Sequence, residues 1–327
     1  MEDSGSTFIR RRGFIAWGLG LAACAAGCGV ERVGERLAAP RTGFSINSDR
    51  RRWARVGQAF AGAARAAGFE AGTGLGAGSM ITVTGLPALT AAELNNGQSL
   101  LDTGTPLARL SGEAEVVVVP DGSPLRDFDD FSARLLAGPG RTVLTGGPQG
   151  EPDHLLFGLI AKALGADTRK VDYTGYPSSG EAVAALLAGR ATAAAGPLSN
   201  WRTGIGRGRV RALAVSSARR VPDLDAPTLL ECGVRVDFAD WVAAFGPDDM
   251  PAERREAAVR MCDEVLGSRA WEAACRTAGW LAIPLAGDDF ALWLGTEIAR
   301  TRATLRDLGL IDATKATTCW GSCGNGH

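Results

Sequence analysis

Thr142-Val143-Leu144-Thr145-Gly146-Gly147-Pro148-Gln149-Gly150-Glu151-Pro152-Asp153-His154-Leu155-Leu156 decides how this chain is read. A short apolar strand pattern meets a glycine-rich turn, which runs straight into an apolar segment with helical spacing. Such a turn lets backbone approach a ligand closely and aims the first N–H groups of a helix at one point. That geometry favours anions without a charged side chain.

The same alternation continues outward. Residues 142–145 predict a strand and 153–164 a helix, 170–173 a strand and 181–188 a helix. Residues 192–195 and 211–215 read as further strands. Alternation of this kind predicts a parallel sheet covered by helices, with ligands beyond the carboxyl ends of the strands. The loops gathered there are 146–153, 176–181 and 196–200. Ser178-Ser179-Gly180-Glu181 matches a capping box that would also turn N–H groups toward the cleft.

Before this block, Ser45-Ile46-Asn47-Ser48-Asp49 reads as a polar turn, 53–67 as a helix, 72–79 as a glycine-rich segment and 81–83 as a strand. Val116-Val117-Val118-Val119-Pro120 is a β-branched run with the pattern of a buried strand, and 241–245 is a second apolar strand. These two strands predict two crossings between lobes. Residues 42–119 and 245–310 would form lobe 1, and 120–244 lobe 2. Helices are expected over 252–266, 270–278 and 288–308, followed by a tail, 311–327.

These residues resemble the receptors of tripartite tricarboxylate transporters, also called Bug-type extracytoplasmic solute receptors. The resemblance runs from about residue 53 to 310. It is carried in order by Thr105-Pro106-Leu107-Ala108-Arg109-Leu110, Val117-Val118-Val119-Pro120-Asp121-Gly122-Ser123-Pro124 and Asp153-His154-Leu155-Leu156. It continues through Gly180-Glu181-Ala182-Val183, Arg211-Ala212-Leu213-Ala214-Val215, Ala226-Pro227-Thr228-Leu229, Asp240-Trp241, Gly279-Trp280 and Asp307-Leu308-Gly309-Leu310. The resemblance implies a type II periplasmic-binding-protein fold, α/β, with two doubly wound lobes joined by two crossing strands around a ligand cleft. It implies a carboxylate solute held largely by backbone N–H groups, and two membrane subunits driven by an ion gradient. Hinge closure around a ligand fits two lobes joined by two crossings.

On the matching positions, the expected ligand contacts are Asn47 and Ser48 in the first loop, and Gly76 and Gly78 in the second. In the second lobe they are Gly146, Gly147, Gln149, Gly150, Asp153, Ser178, Ser179, Gly180 and Ser199. Trp241, on a crossing strand, either packs in the core or lines the pocket, and Trp201 either covers the ligand or packs on the body. The sequence also departs from the pattern. Ser45 to Arg51 replace a Gly-rich turn followed by Asp. Gly74-Leu75-Gly76-Ala77-Gly78-Ser79 stands for a longer glycine loop whose following helix looks deleted. Pro148 and Pro152 stand where Ser and Thr are usual, and Glu151 where Gly is usual, while Ser178 and Ser179 replace glycines. The prolines remove N–H and hydroxyl donors and Glu151 adds an acceptor. Weaker binding of a di- or tricarboxylate is expected, and a solute that is less anionic, neutral or even cationic.

Asp153 is read as complementing its helix dipole, and His154 as packing or hydrogen-bonding near the cleft rather than as an acid–base pair. No serine has a nucleophile-elbow context, so the chain is read as a receptor, not an enzyme, with no cofactor. The function read from all this is capture of a small organic, carboxylate-bearing solute for a tripartite tricarboxylate-type transporter. The alternative is a ligand-sensing or adaptor protein at the membrane surface.

Composition agrees. The 327 residues carry a formal charge of −1, which leaves no electrostatic footprint for nucleic acid. The two histidines, His154 and His327, exclude a multi-histidine metal site. Arg10-Arg11-Arg12-Gly13-Phe14-Ile15 is a twin-arginine-like basic region, followed by an apolar run too short to span a membrane. Residues 1–28 therefore read as an export signal, with Leu21-Ala22-Ala23-Cys24 and Ala25-Ala26-Gly27-Cys28 as two lipobox candidates, and 29–41 as a linker. Lipidation at Cys24 or Cys28 would anchor a monomer to the outer face of the cell membrane. Of the other cysteines, Cys262 with Cys275 and Cys319 with Cys323 are candidate disulfides, and Cys232 is left over as a small buried hydrophobe.

Overall fold

The computed structural model describes residues 43–72 and 80–312. The export signal, the linker up to residue 42, Cys24, Cys28, Gly76, Gly78, Cys319 and Cys323 lie outside the described residues. Ten strands and ten α-helices are described.

The first sheet is built from β1 (Phe44–Ser48), β2 (Ala71–Gly72), β3 (Met80–Gly85), β9 (Ala239–Gly246), β10 (Leu285–Ala286) and the first ten residues of β4 (Thr105–Pro120). β1 runs parallel to β2 and β3, while β9 lies antiparallel between β3 and β4. The second sheet holds the rest of β4 between β7 (Ala193–Pro197) and β8 (Val210–Val215), both antiparallel to it. Beyond β7 follow β5 (Leu144–Gly146) and β6 (Tyr173–Gly175) in parallel. One strand thus serves both sheets, and its central residues Val116 to Val119 are buried on both faces: Val117 and Val119 face one core cluster, Val116 and Val118 another. That two-sided burial explains a valine run without polar alternation.

The register places the passage between sheets at Ala114/Glu115 on β4 and just before Ala239 on β9. On that register we assign 115–238 to the second lobe, against the 120–244 expected from sequence. The segment read as a polar turn at 45–49 is instead a strand: Phe44 and Ile46 are buried, and the segment pairs with β3. Two apolar anchors and a parallel partner outweigh the serine and asparagine content.

Helix α1 (Ala54–Ala66) covers the first sheet with α8 (Ala252–Leu266) and α9 (Arg269–Ala278), around Phe60, Ile81, Leu107, Met261 and Trp271. Cys262 and Cys275 lie in that core as free thiols, not as the disulfide expected above. Burial raises their pKa to about 12 and about 11, so both persist as neutral, apolar-like groups. Cys232 is half-buried and free. The second sheet carries α4 (Phe128–Ala137), α5 (Pro152–Leu164), α6 (Ser179–Leu187) and α7 (Leu198–Gly206). The long helix α10 (Gly287–Asp307) ties both halves together. Arg302 forms two bonds of 2.7 Å to Glu93 on α2 (Leu86–Leu94), and Asp307 accepts a 2.7 Å bond from Lys162 on α5.

Candidate functional site

The segment before α1, the end of α2, the turn before α5 and strand β9 meet at one place. Arg52, just before α1, reaches from the first sheet to the turn before α5: its Nη1 lies 3.1 Å from Glu151 Oε2, and its Nη2 lies 3.6 Å from Asp240 Oδ2 on β9. Leu94 of α2 closes on the same turn, since a Cβ added to Gly150 would lie 2.6 Å from Leu94 Cδ1. Gly150 has φ +80, a left-handed conformation that an L side chain resists. Gly150→Ala is expected to lower stability by about 1–2 kcal/mol from backbone strain. Melting of Gly150→Ala beside the double variant with Leu94→Ala measures the part due to the contact.

The turn itself is wired inward. The Gly147 N–H donates to Asp153 Oδ2 at 2.6 Å, and the Gly150 N–H donates to His154 Nδ1 at 3.1 Å. Tyr173 donates its hydroxyl to the Gly147 carbonyl at 2.7 Å, and Gln149 donates to the Tyr173 carbonyl at 3.4 Å. His154 stacks on Tyr173 with ring centroids 4.1 Å apart, and burial lowers its pKa to about 4, so the imidazole is neutral. It is a structural acceptor for the turn. Pro152 starts α5, where its missing N–H loses nothing, and Gly165 ends the helix in the left-handed conformation.

The electrostatics are acidic. Asp153 is half-buried, and desolvation of its carboxyl raises its pKa to about 6, against the lowering effect of the Gly147 N–H. Burial raises Asp240 to about 7, with Arg52 opposing. Glu115 on β4 is fully buried and its pKa is raised well above the carboxylate range, first by burial and then by Asp153, Asp240 and Glu113. Asp240 Oδ1 lacks a hydrogen-bond partner among the described residues, and Glu115 has only the Asp153 carboxyl beside it. No group of three or more His, Cys, Asp or Glu in the described residues is arranged to hold a metal ion.

Gly146, Gly147, Gln149, Gly150 and Asp153 meet at this turn. Asn47 and Ser48 end β1 near it, half-buried; Asn47 donates to Ser45 Oγ at 3.4 Å and Ser48 to the Trp53 carbonyl at 3.3 Å. Ser178 caps α6, accepting from the Glu181 N–H and donating to its carboxylate, and Ser178, Ser179, Gly180 and Ser199 are exposed. Trp241 turns away: its Nε1 donates to Glu297 on α10 at 3.3 Å and its ring meets Trp293 edge-on. There it helps line a separate groove of about 1020 Å³ with Arg109, Phe238, Ile283 and Arg300. Trp201 is core, packed with Leu198 and Val210. Sequence reading missed Arg52, Glu115 and Asp240. The available signal was period-two alternation: on β9, Asp240 and Trp241 must face opposite sides.

The fold is that of the periplasmic-binding-protein class. The sequence model of the tripartite tricarboxylate transporter family receptor matches residues 74–260, and the chain belongs to that family. Among curated relatives, a UPF0065 protein from the tcbD–tcbE intergenic region of Pseudomonas sp. strain P51 is 32% identical over 42% of this chain and 40% of its own length. Protein BugT of Bordetella pertussis is 28% identical over 64% of each chain. The match thus spans less than two thirds of either relative. Three solved structures share the fold. A TctC solute-binding protein from Polaromonas has TM-score 0.69 and 16% identity, covering 83% of this chain and all of that one. An adipate-bound protein of Rhodopseudomonas palustris gives 0.60 and 19%, covering 83% and 99%. MatC of the same organism, with bound malate, gives 0.59 and 17%, covering 82% and 100%.

Proposed function

We propose that this chain is an extracytoplasmic receptor that captures a small organic, carboxylate-bearing solute and delivers it to the membrane subunits of a tripartite tricarboxylate-type transporter. The solute occupies the space between the loop after β1 and the turn before α5. The carrying observation is the reach of Arg52 from the first sheet to Glu151 of the second, beyond the carboxyl ends of β1 and β5, where sheets of this class bind ligands. Malate and adipate in fold relatives are small dicarboxylates and support this size class. Asn47, Ser48, Gly76, Gly78, Gly146, Gly147, Gln149, Gly150, Asp153, Ser178, Ser179, Gly180 and Ser199 are the proposed surroundings of the solute. Cys24 or Cys28 is the proposed lipid attachment.

A thermal-shift panel of carboxylates, amino acids, amines and neutral metabolites on the full chain tests this. A true solute stabilises the folded state by mass action, about 2.7 kcal/mol at a hundredfold excess over Kd. A concentration-dependent shift from any small organic solute carrying a carboxylate is expected. A panel without any shift, or chemical turnover of a hit, would overturn the reading.

A further inference from the structure

We propose that the solute also carries a cationic nitrogen, an ammonium or guanidinium, which takes the place that the Arg52 guanidinium holds between Glu151 and Asp240. This rests on the receptor reading above and narrows its solute class.

Among the described residues, the turn before α5 is short of free donors and rich in acceptors. Of the turn's own N–H groups, those of Gly147 and Gly150 are already used by Asp153 and His154, and Pro148 and Pro152 have none. A dicarboxylate entering here finds few N–H groups to receive it. It meets carboxylates from three elements: Glu115 on β4, Glu151 and Asp153 at the start of α5, and Asp240 on β9. At pH 8, where Asp153 and Asp240 ionise, an anion buried beside them is strongly disfavoured.

The unpartnered atoms point the same way. Asp240 Oδ1 is buried without a hydrogen-bond donor among the described residues, and the fully buried Glu115 has only the Asp153 carboxyl beside it, with which it shares a proton. Buried acceptors without donors are costly, and they are settled by N–H groups, above all charged ones. The cation that the described residues set against this cluster is Arg52. It sits on the loop after β1 with its side chain 38% exposed, so it can swing out to solvent. Arg52 therefore acts as an internal stand-in for the solute's cation. A zwitterion suits the whole site: its nitrogen on the carboxylates, and its carboxylate directed away from them toward solvent.

The linkage to pH follows from every ionisable group facing the cluster: Glu113 and Glu115 from β4, Glu151, Asp153 and neutral His154 from α5, Tyr173 from β6, Asp240 from β9, and Arg52. Burial holds protons on Asp153, Asp240 and Glu115. A bound cation favours their ionised forms, so binding releases protons and tightens as pH rises from 6 to 8. An anionic solute would show the reverse.

The test is calorimetric titration of the full chain with a matched series of three to six carbons: dicarboxylates such as glutarate, ω-amino acids such as 4-aminobutyrate, and diamines such as 1,5-diaminopentane. An amine-bearing member is expected to bind at least about tenfold tighter than its dicarboxylate counterpart at pH 8, and to tighten between pH 6 and 8. Arg52→Ala, on an exposed loop, should strengthen that binding about tenfold by removing the internal competitor, and Glu151→Gln should weaken it by about as much. Dicarboxylates binding tightest at every pH would overturn the cation while leaving the receptor reading intact. Unchanged or weaker amine binding in Arg52→Ala would overturn the displacement of Arg52. Silence across all three charge classes would overturn the receptor reading with it.

Discussion

The full chain is expected to melt about 5 °C higher at pH 5.5 than at pH 8. Three buried carboxyl groups set the direction. Asp153 and Asp240 have folded-state pKa values of about 6 and about 7, above the ordinary aspartate range, and Glu115 is raised as well. In the unfolded chain they ionise near 4. Between those limits the folded state holds protons that the unfolded state has released, so stability is present at low pH and falls as pH climbs through 6 and 7. His154 works the other way. Its folded pKa of about 4 lies below the ordinary histidine value, so its neutral burial destabilises the fold below about pH 6.5. At about 1.4 kcal/mol per pKa unit, Asp240 and Asp153 together favour pH 5.5 over pH 8 by about 3 kcal/mol and His154 takes back about 1.4, so their net effect is on the order of 1–2 kcal/mol, to which Glu115 adds in the same direction. Asp240→Asn should raise the melting point at pH 8 and flatten the profile. A melting point that is level, or that rises toward pH 8, would mean these carboxylates are ionised and well compensated, and the acidic reading of the cleft would fail.

Much of the scaffold was legible because its signals are local. The helix starting at Pro152 follows from proline at its first position and glycine after Leu164. Ser178 caps its helix as the spacing predicts, accepting from the Glu181 N–H, but the Glu181 carboxylate takes the Ser178 hydroxyl rather than its backbone N–H, so the reciprocal half of the capping box is not made. The valine run at 116–119 could only be a strand buried on both sides. What stayed hidden is non-local. Phe44 to Ser48 looks like a turn until β2 and β3 flank it. The site residues were harder still. Glycines 146, 147 and 150 were visible as a turn, but the N–H groups of Gly147 and Gly150 are used up by Asp153 and His154, which only the folded geometry reveals. Arg52, Glu115 and Asp240 lie on different elements, far apart in sequence, and no motif joins them. Glu151 was visible as an anomaly at an anion-binding turn, and its partner Arg52 was not.

Trp271→Ala should lower stability by about 3–5 kcal/mol, whereas Trp271→Phe should change it by less than about 1 kcal/mol. Trp271 is the aromatic centre of the first lobe's core, 1% exposed. Its ring meets Phe60 edge-on at 5.7 Å and lies 6.3 Å from Trp280. Truncation to alanine removes that contact area and leaves a cavity between α1 and α9, which close-packed neighbours fill only in part. Phenylalanine keeps most of the apolar volume and the face toward Phe60. It also removes the indole N–H, which is buried without a partner among the described residues, so a desolvation penalty of about 1–3 kcal/mol disappears with it and offsets the lost volume. The effect extends to the cleft. Trp53, next to Arg52, belongs to the same core, so loosening it frees the loop that places the guanidinium against Glu151 and Asp240. The alanine variant should therefore lose part of the pH dependence of melting along with its stability. Denaturant unfolding of the two variants at pH 5.5 and pH 8 separates the cases. Equal losses for alanine and phenylalanine would show that the full indole outline, and not an apolar ring of phenyl size, is what this core requires.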